Sequence, residues 1–258
     1  MGSRVKARAL IGVATVLVLL VSWYAATDLF GLIDRHRFPS PSDVLAAGSQ
    51  IMSRGYAGAT LLTQCLYSLR LVVLGFLVAA ATGVPLGIAM GLSRRFEAFI
   101  NPAFLLIRPI PPLAWIPLAI VWLGLADSAK VLVIWFAAFV PAVINSYAGV
   151  RNIDPTLVAA ARVHGASPAV VVRDVLIPGA MPMIFTGLRL SLQASWTTLV
   201  AAELVGALFG LGKVLSTAYR DIYPAMIAVG MISVAVLGAL TTRILTMVEN
   251  HVIRWRQS

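Results

Sequence analysis

The chain has 258 residues, 60% of them hydrophobic and only 12% charged, with a mean hydropathy of +0.92; soluble domains carry about twice that share of charge. An ordinary soluble protein is therefore excluded, and the long unbroken apolar runs, unlike the ~10-residue alternating strands of a membrane barrel, predict an all-α membrane protein. The formal net charge of +10 gathers at the ends of apolar runs, which argues for membrane orientation and against a nucleic-acid partner.

Six spans are expected, at about 9–27, 61–92, 99–123, 129–149, 180–207 and 223–247. The first follows a basic start, as a signal peptide would, but its apolar run is about 18 residues long, enough to cross a bilayer and remain as an uncleaved helix. With the N-terminus inside, the cytoplasmic side collects eleven basic residues: Arg4, Lys6, Arg8, Arg94, Arg95, Arg151, Arg162, Arg173, Arg243, Arg254 and Arg256. The outer side receives six: Arg35, Arg37, Arg54, Lys130, Lys213 and Arg220. That bias predicts an N-in, C-in arrangement in a plasma membrane.

Between the first two spans, Pro39 and Pro41 break the chain, and Ser42 or Asp43 can cap a short amphipathic helix on the outer interface. The third span contains "RPIPPLAWIPLAIVW", whose four prolines require a kinked or partly unwound helix covered by protein or lining water. The expected organisation is a first helix plus outer segment at 1–60, a transmembrane core at 61–248 with a cytoplasmic loop at 150–179, and a cytoplasmic tail at 249–258.

That loop, "NIDPTLVAAARVHGASPAVVVRDVLIPGAMP", carries the start and stop signals of two short helices. Asp154 before Pro155 is an N-cap with a first-turn proline, and Gly165 suits the left-handed position past a helix end. Ser167 and Pro168 repeat the start signal, and Pro178 is expected to stop the second helix. About thirty ordered residues exceed what a connection needs, which points to a docking surface for a cytoplasmic partner.

Four charges fall inside the spans, Arg70, Arg108, Arg189 and Glu203. Each costs roughly 2.5–3.5 kcal/mol at mid-membrane and must meet a partner or water. Arginine forks suit carboxylate, sulfonate or nitrate oxygens, so an anion route is one reading and structural pairs, such as an arginine with Glu203, the other. Gln193, Trp196 and Thr197 stand at the i, i+3, i+4 spacing of one helix face, which can line that route or join subunits. "GLGKVL" is not a phosphate loop, because Ala207 and Val214 occupy positions that need Gly and Ser or Thr. The energy source must be another chain or an ion gradient. Cys65 is the only cysteine, and His36, His164 and His251 lack ligand spacing, so no metal or cofactor is expected in this chain.

"AAARVHGASPAVVVRDVLIP" resembles the cytoplasmic EAA loop of ABC importer permeases, with Ala160 and Ala161 on its two alanines, Gly165 on its glycine and Pro178 on its closing proline. Ala159 replaces its glutamate, Val175 its Ile and Ile177 its Leu. "RPIPPLAWIPLAIVWLGLADSAKVLVIW" and "NSYAGVRNIDPTL" are similar to the subgroup importing sulfonates, taurine, nitrate and related anions. The resemblance implies a type I importer fold, a homodimer, and an ABC ATPase dimer that binds ATP and Mg and docks on Asp154, Pro155, Ala160, Ala161, Arg162, Gly165, Ser167, Pro168 and Pro178. It also implies a periplasmic or lipid-anchored binding protein, and alkanesulfonate or taurine as substrate, with nitrate, bicarbonate, aromatic carboxylates and pyrimidine precursors as alternatives. A gradient-driven transporter would want mid-membrane acids, where only Glu203 stands, and an intramembrane enzyme would need a catalytic constellation that the sequence does not contain.

Overall fold

The computed structural model describes residues 2–31, 33–34 and 38–253. Arg35, His36, Arg37, Arg254 and Arg256 lie outside them, as do the side chains of Arg4, Lys6 and Arg8. The described residues form helices and no named strand: α1 (Gly2–Tyr24), α2 (Pro41–Ser53), α3 (Leu61–Leu92), α4 (Arg94–Ile107), α5 (Trp115–Leu123), α6 (Asp127–Arg151), α7 (Pro155–Val163), α8 (Pro168–Val170), α9 (Ile177–Gly206), α10 (Leu211–Arg220) and α11 (Pro224–Val252). Five helical stretches are long and apolar enough to cross a membrane. A sixth crossing is the pair Arg94–Ile107 and Pro112–Leu123, bent by 74°.

The centre of the bundle is α3 against α6 and α6 against α9. Lipid tails are as apolar as leucine, so helices in a membrane associate through close packing, and small residues permit it. On α3 a buried row of Gly75, Ala79, Gly83, Gly87 and Gly91 recurs every fourth residue. A methyl group on Gly83 would stand 3.0 Å from Ala142 Cβ, one on Gly87 2.8 Å from Ser146 Cβ, and one on Gly91 2.7 Å from Val150 Cβ. Both sets of numbers rise together, so α3 and α6 run parallel, which requires the bent pair between them to return the chain across the membrane. Gly187 meets Pro141 and Asn145 while Gly149 meets Ala180 and Met183, so α9 runs antiparallel to α6. The sequence reading missed this glycine ridge, although its period of four was visible in "GFLVAAATGVPLGIAMGL".

Three local readings change. The third span starts earlier, at Arg94, and is two helices separated at Arg108–Pro111; consecutive prolines remove donors and push their predecessors out of helical backbone. Trp115 stacks on Phe136 at 4.0 Å and fixes α5 beyond the break. At the outer helix the cap is Ser40, not Ser42 or Asp43: its hydroxyl accepts from Asp43 N–H at 3.2 Å while the Asp43 carboxylate accepts from Ser40 N–H at 3.2 Å, a reciprocal capping box. Pro178 does not stop a helix. The chain continues as one stretch from Pro168 to Gly206, because a π-turn at Val171–Leu176 places Pro178 in the first turn of α9, where its missing N–H is tolerated.

The two ends of the bundle are distinct. Trp23, Phe38 and α2 gather with α10 and the start of α11, and Tyr56 and Tyr223 bond to Asp221 and Gln50 there. The start of α1, Ser93, α7 and the end of α11 lie at the opposite end, as an even number of crossings demands. α11 continues through Val252.

Candidate functional site

α7 is built entirely from local signals. The Asp154 carboxylate accepts from Thr156 N–H at 2.8 Å, Pro155 opens the helix, and hydrogen bonds from the Thr156 backbone and hydroxyl hold the Asp154 carboxyl below its usual range. At the other end Gly165 adopts φ +82°. Its N–H reaches Arg162 O at 2.9 Å and Ala166 N–H reaches Ala161 O at 3.0 Å, the paired bonds of a Schellman stop. Ser167 Oγ then accepts from Val170 N–H at 3.5 Å and Pro168 begins the next helix. Ile153, which packs with Val150, Ala180 and Ile184, ties the loop to the bundle. Beyond that anchor no residue of α7 is buried, and Leu157 and Val163 are 56% and 86% exposed. Ala160, Arg162, Gly165, Ser167 and Pro168 are exposed, and Ala161 and Pro178 half-buried. A rigid helix with uncovered apolar side chains, standing at one end of the bundle, is a contact surface rather than a catalytic centre.

The intramembrane residues do not form one site. Glu203 is fully buried and pairs with no arginine among the described residues: it accepts from Ser68 Oγ at 2.8 Å and from Gly212 N–H at 2.8 Å. Ser68 Oγ accepts from Leu211 N–H at 2.8 Å, and Gln64 Oε1 from Gly210 N–H at 2.6 Å. Gly210 has φ +118° and passes so close to the Glu203 carboxyl that a side chain there would collide with it. Glu203 therefore pins the turn between α9 and α10 onto α3. Arg189 pairs instead with Glu249, at 2.6 and 3.4 Å, across sixty residues and near the cytoplasmic end of α11. Glu249 escaped the sequence reading because it falls in what reads as the start of a tail.

Gln193, Trp196 and Thr197 split between faces. Trp196 is buried and donates to Thr241 at 3.1 Å, whereas Gln193 and Thr197 are exposed. Arg70 is exposed between Leu66 and Val73, and Arg108 is exposed in the break before α5. Lys130, which the sequence reading placed among outer charges, is buried in the first turn of α6 and bonds Asp127 and Tyr67 at 3.3 and 3.4 Å. Among the described residues no group of three or more His, Cys, Asp or Glu stands close enough to hold a metal ion.

Residues 83–254 match the family described as binding-protein-dependent transport system inner membrane component. The chain is 35% identical to the taurine transport system permease protein TauC of Escherichia coli over 246 residues, covering 95% of this chain and 89% of that one. It is 32% identical to a putative aliphatic sulfonates transport permease protein, SsuC of Bacillus subtilis, over 93% of this chain and 86% of that one. It is also 32% identical to the bicarbonate transport system permease protein CmpB of Synechococcus elongatus, over 95% and 90%. A solved structure of the MetNI methionine ABC transporter in inward-facing conformations superposes with a TM-score of 0.59 at 22% identity, covering 75% of this chain and 94% of that chain, a likeness of fold.

Proposed function

The chain belongs to the family of binding-protein-dependent transport system inner membrane components, an all-α, multi-pass ABC permease of the inner membrane, and from that premise we propose that it carries a small organic anion, an alkanesulfonate with taurine foremost, into the cell. Two copies form the route and α7 of each docks on one subunit of an ATPase pair. A binding protein delivers the substrate from outside, and ATP and Mg reside in the ATPase chains, so this chain performs no covalent chemistry.

The observation that carries the reading is α7 itself: capped at Asp154, closed at Gly165 and unburied along its length. It is held by Ile153 to the helices that cross the membrane. ATPase motion applied to such an element reaches the spans, since the tight Gly165–Ser167 bend joins it to α8, the π-turn and α9, which form one stretch from Pro168 to Gly206. The identity to taurine and sulfonate permeases favours a sulfonate, and that to a bicarbonate permease makes bicarbonate the competing substrate.

The test is reconstitution. The chain should co-purify with an ATPase whose hydrolysis it couples to uptake, and the binding protein that pairs with it should bind taurine or a short alkanesulfonate in preference to bicarbonate. Full uptake by the chain without any ATPase, abolished by an uncoupler, would make it a gradient-driven carrier and refute the proposal.

A further inference from the structure

The last helix carries a pattern that the fold does not consume. At about 100° per residue, α11 divides into three faces. One face, with Thr241 and Glu249, meets Trp196 and Arg189 of α9. A second, with Val236, Leu240, Ile244 and Val248, is apolar and between 47% and 60% exposed, as a lipid-facing surface should be. The third consists of Ala235, Ala239, Thr242, Thr246 and Asn250, at spacings of four, three, four and four residues, beside Arg243. Thr242, Arg243, Thr246 and Asn250 border an open groove, and among the described residues nothing bonds the Arg243 guanidinium.

A charged row is disfavoured against hydrocarbon, where an arginine costs roughly 2.5–3.5 kcal/mol at the centre of the membrane and less toward the cytoplasmic end, the side on which Arg243 lies. Arg243 stands nine residues before Val252, about 13 Å inside the end of the helix. α9 is antiparallel to α11, and its own uncovered row is Leu190, Gln193 and Thr197, with Thr186 half-buried beside them. Turning away from the shared contacts, Trp196–Thr241 and Arg189–Glu249, brings both polar rows to the same side of the α9–α11 seam. The Arg189 side chain, 35% exposed, lies between them.

We infer that Thr242, Arg243, Thr246 and Asn250 line the cytoplasmic half of the route taken by a small oxyanion, with Arg243 its cationic contact there and Arg189, oriented by Glu249, beside it. The Arg243 guanidinium matches sulfonate or carboxylate oxygens, whereas the Thr242 and Thr246 hydroxyls donate back to Gly238 O at 2.8 Å and Thr242 O at 3.0 Å and supply a polar surface rather than free donors. A polar row that is exposed at Thr242, Arg243 and Asn250 and half-buried at Thr246, rather than a closed cage, lets the anion pass instead of holding it. The inference rests on the transport reading above.

Charge-paired thiol reagents test it in inside-out vesicles containing the whole transporter. Cys65 is the only cysteine, so single cysteines can be placed on a Cys65→Ser chain at Thr246, on the row, and at Leu240, on the apolar face. Two methanethiosulfonates of similar size are applied, one ending in sulfonate and one in trimethylammonium. Thr246→Cys should react about tenfold faster than Leu240→Cys, and about fivefold faster with the sulfonate reagent than with the cation, the preference that one nearby positive charge produces. Adding Arg243→Gln should abolish the preference and leave the accessibility. Equal labelling of the two positions, as when Arg243 only meets lipid headgroups, or a sulfonate preference that survives Arg243→Gln, would overturn the inference. Taurine uptake driven by ATP, recorded in the same vesicles, keeps the outcomes apart: normal uptake with uniform labelling refutes only the lining, whereas patterned labelling without ATP-driven uptake counts against the transport reading instead.

Discussion

Glu203 is the residue whose replacement separates a structural carboxyl from a transported-anion contact. Changing Glu203→Ala removes the acceptor of Gly212 N–H and of Ser68 Oγ–H in a fully buried position. Each stranded donor costs about 1–3 kcal/mol, so the turn over residues 207–212 loses about 4 kcal/mol relative to its detached state. At about 1.4 kcal/mol per tenfold, detachment becomes roughly a thousandfold more frequent. Hydrogen exchange reads this directly, because the amides of Gly210, Leu211 and Gly212 are held by Gln64, Ser68 and Glu203 rather than by helix carbonyls. Those three should exchange about a thousandfold faster in Glu203→Ala, while amides of α3 and α6 around the glycine ridge keep their protection. Glu203→Gln, which retains an acceptor, should accelerate them by tenfold or less. Unchanged exchange at Gly210–Gly212 would refute the pinning role, and a changed substrate preference in Glu203→Gln would return the residue to the route.

At the ridge, Gly87→Ala should lower thermal stability in detergent by about 1–3 kcal/mol through overpacking, and Gly87→Leu should prevent recovery of monodisperse protein. Gly165→Ala, with nothing within 4 Å of the added carbon, should cost only the left-handed penalty of about 1–2 kcal/mol. Gly165→Pro, whose ring cannot adopt φ +82° and which loses the bond to Arg162 O, should insert normally yet abolish ATP-dependent uptake. Arg189→Gln should destabilise by about 3–5 kcal/mol because it leaves Glu249 buried and unpaired. Arg189→Gln combined with Glu249→Gln should recover much of that loss in a double-mutant cycle. The lowered Asp154 carboxyl favours the capped loop above the unfolded value of about 4, and the benefit disappears as pH falls through the folded value. Exchange at Thr156 N–H should therefore rise relative to the intrinsic rate only in that acid range, and Asp154→Asn, which caps without titrating, should remove the dependence.

What the sequence made legible was local chemistry. Asp154, Pro155, Gly165, Ser167 and Pro168 declare their roles within four residues, and the proline-rich stretch around Arg108 announced its break without its 74° angle. Long-range partners were hidden: nothing near Arg189 points sixty residues ahead to Glu249, and the pairing guessed with Glu203 failed because Glu203 meets a turn that lies later in the chain. Pro178 misled because a proline signals only a missing donor, and a π-turn can absorb that without ending a helix. The lining of the route was under-read since Thr242, Thr246 and Asn250 look unremarkable until neighbouring helices define which face of α11 is left open.

The unbroken stretch from Pro168 to Gly206 behaves mechanically as a lever. Thirty-nine residues at about 1.5 Å each make a beam roughly 58 Å long, with one arm beside α7 and the other at the turn held by Glu203. A tilt of about 10° about its midpoint moves each tip by roughly 5 Å, about one helical turn, so a modest push at the cytoplasmic arm is returned at full amplitude on the far side of the membrane, where Gln64 and Ser68 of α3 must either travel with Glu203 and the turn after it or let go.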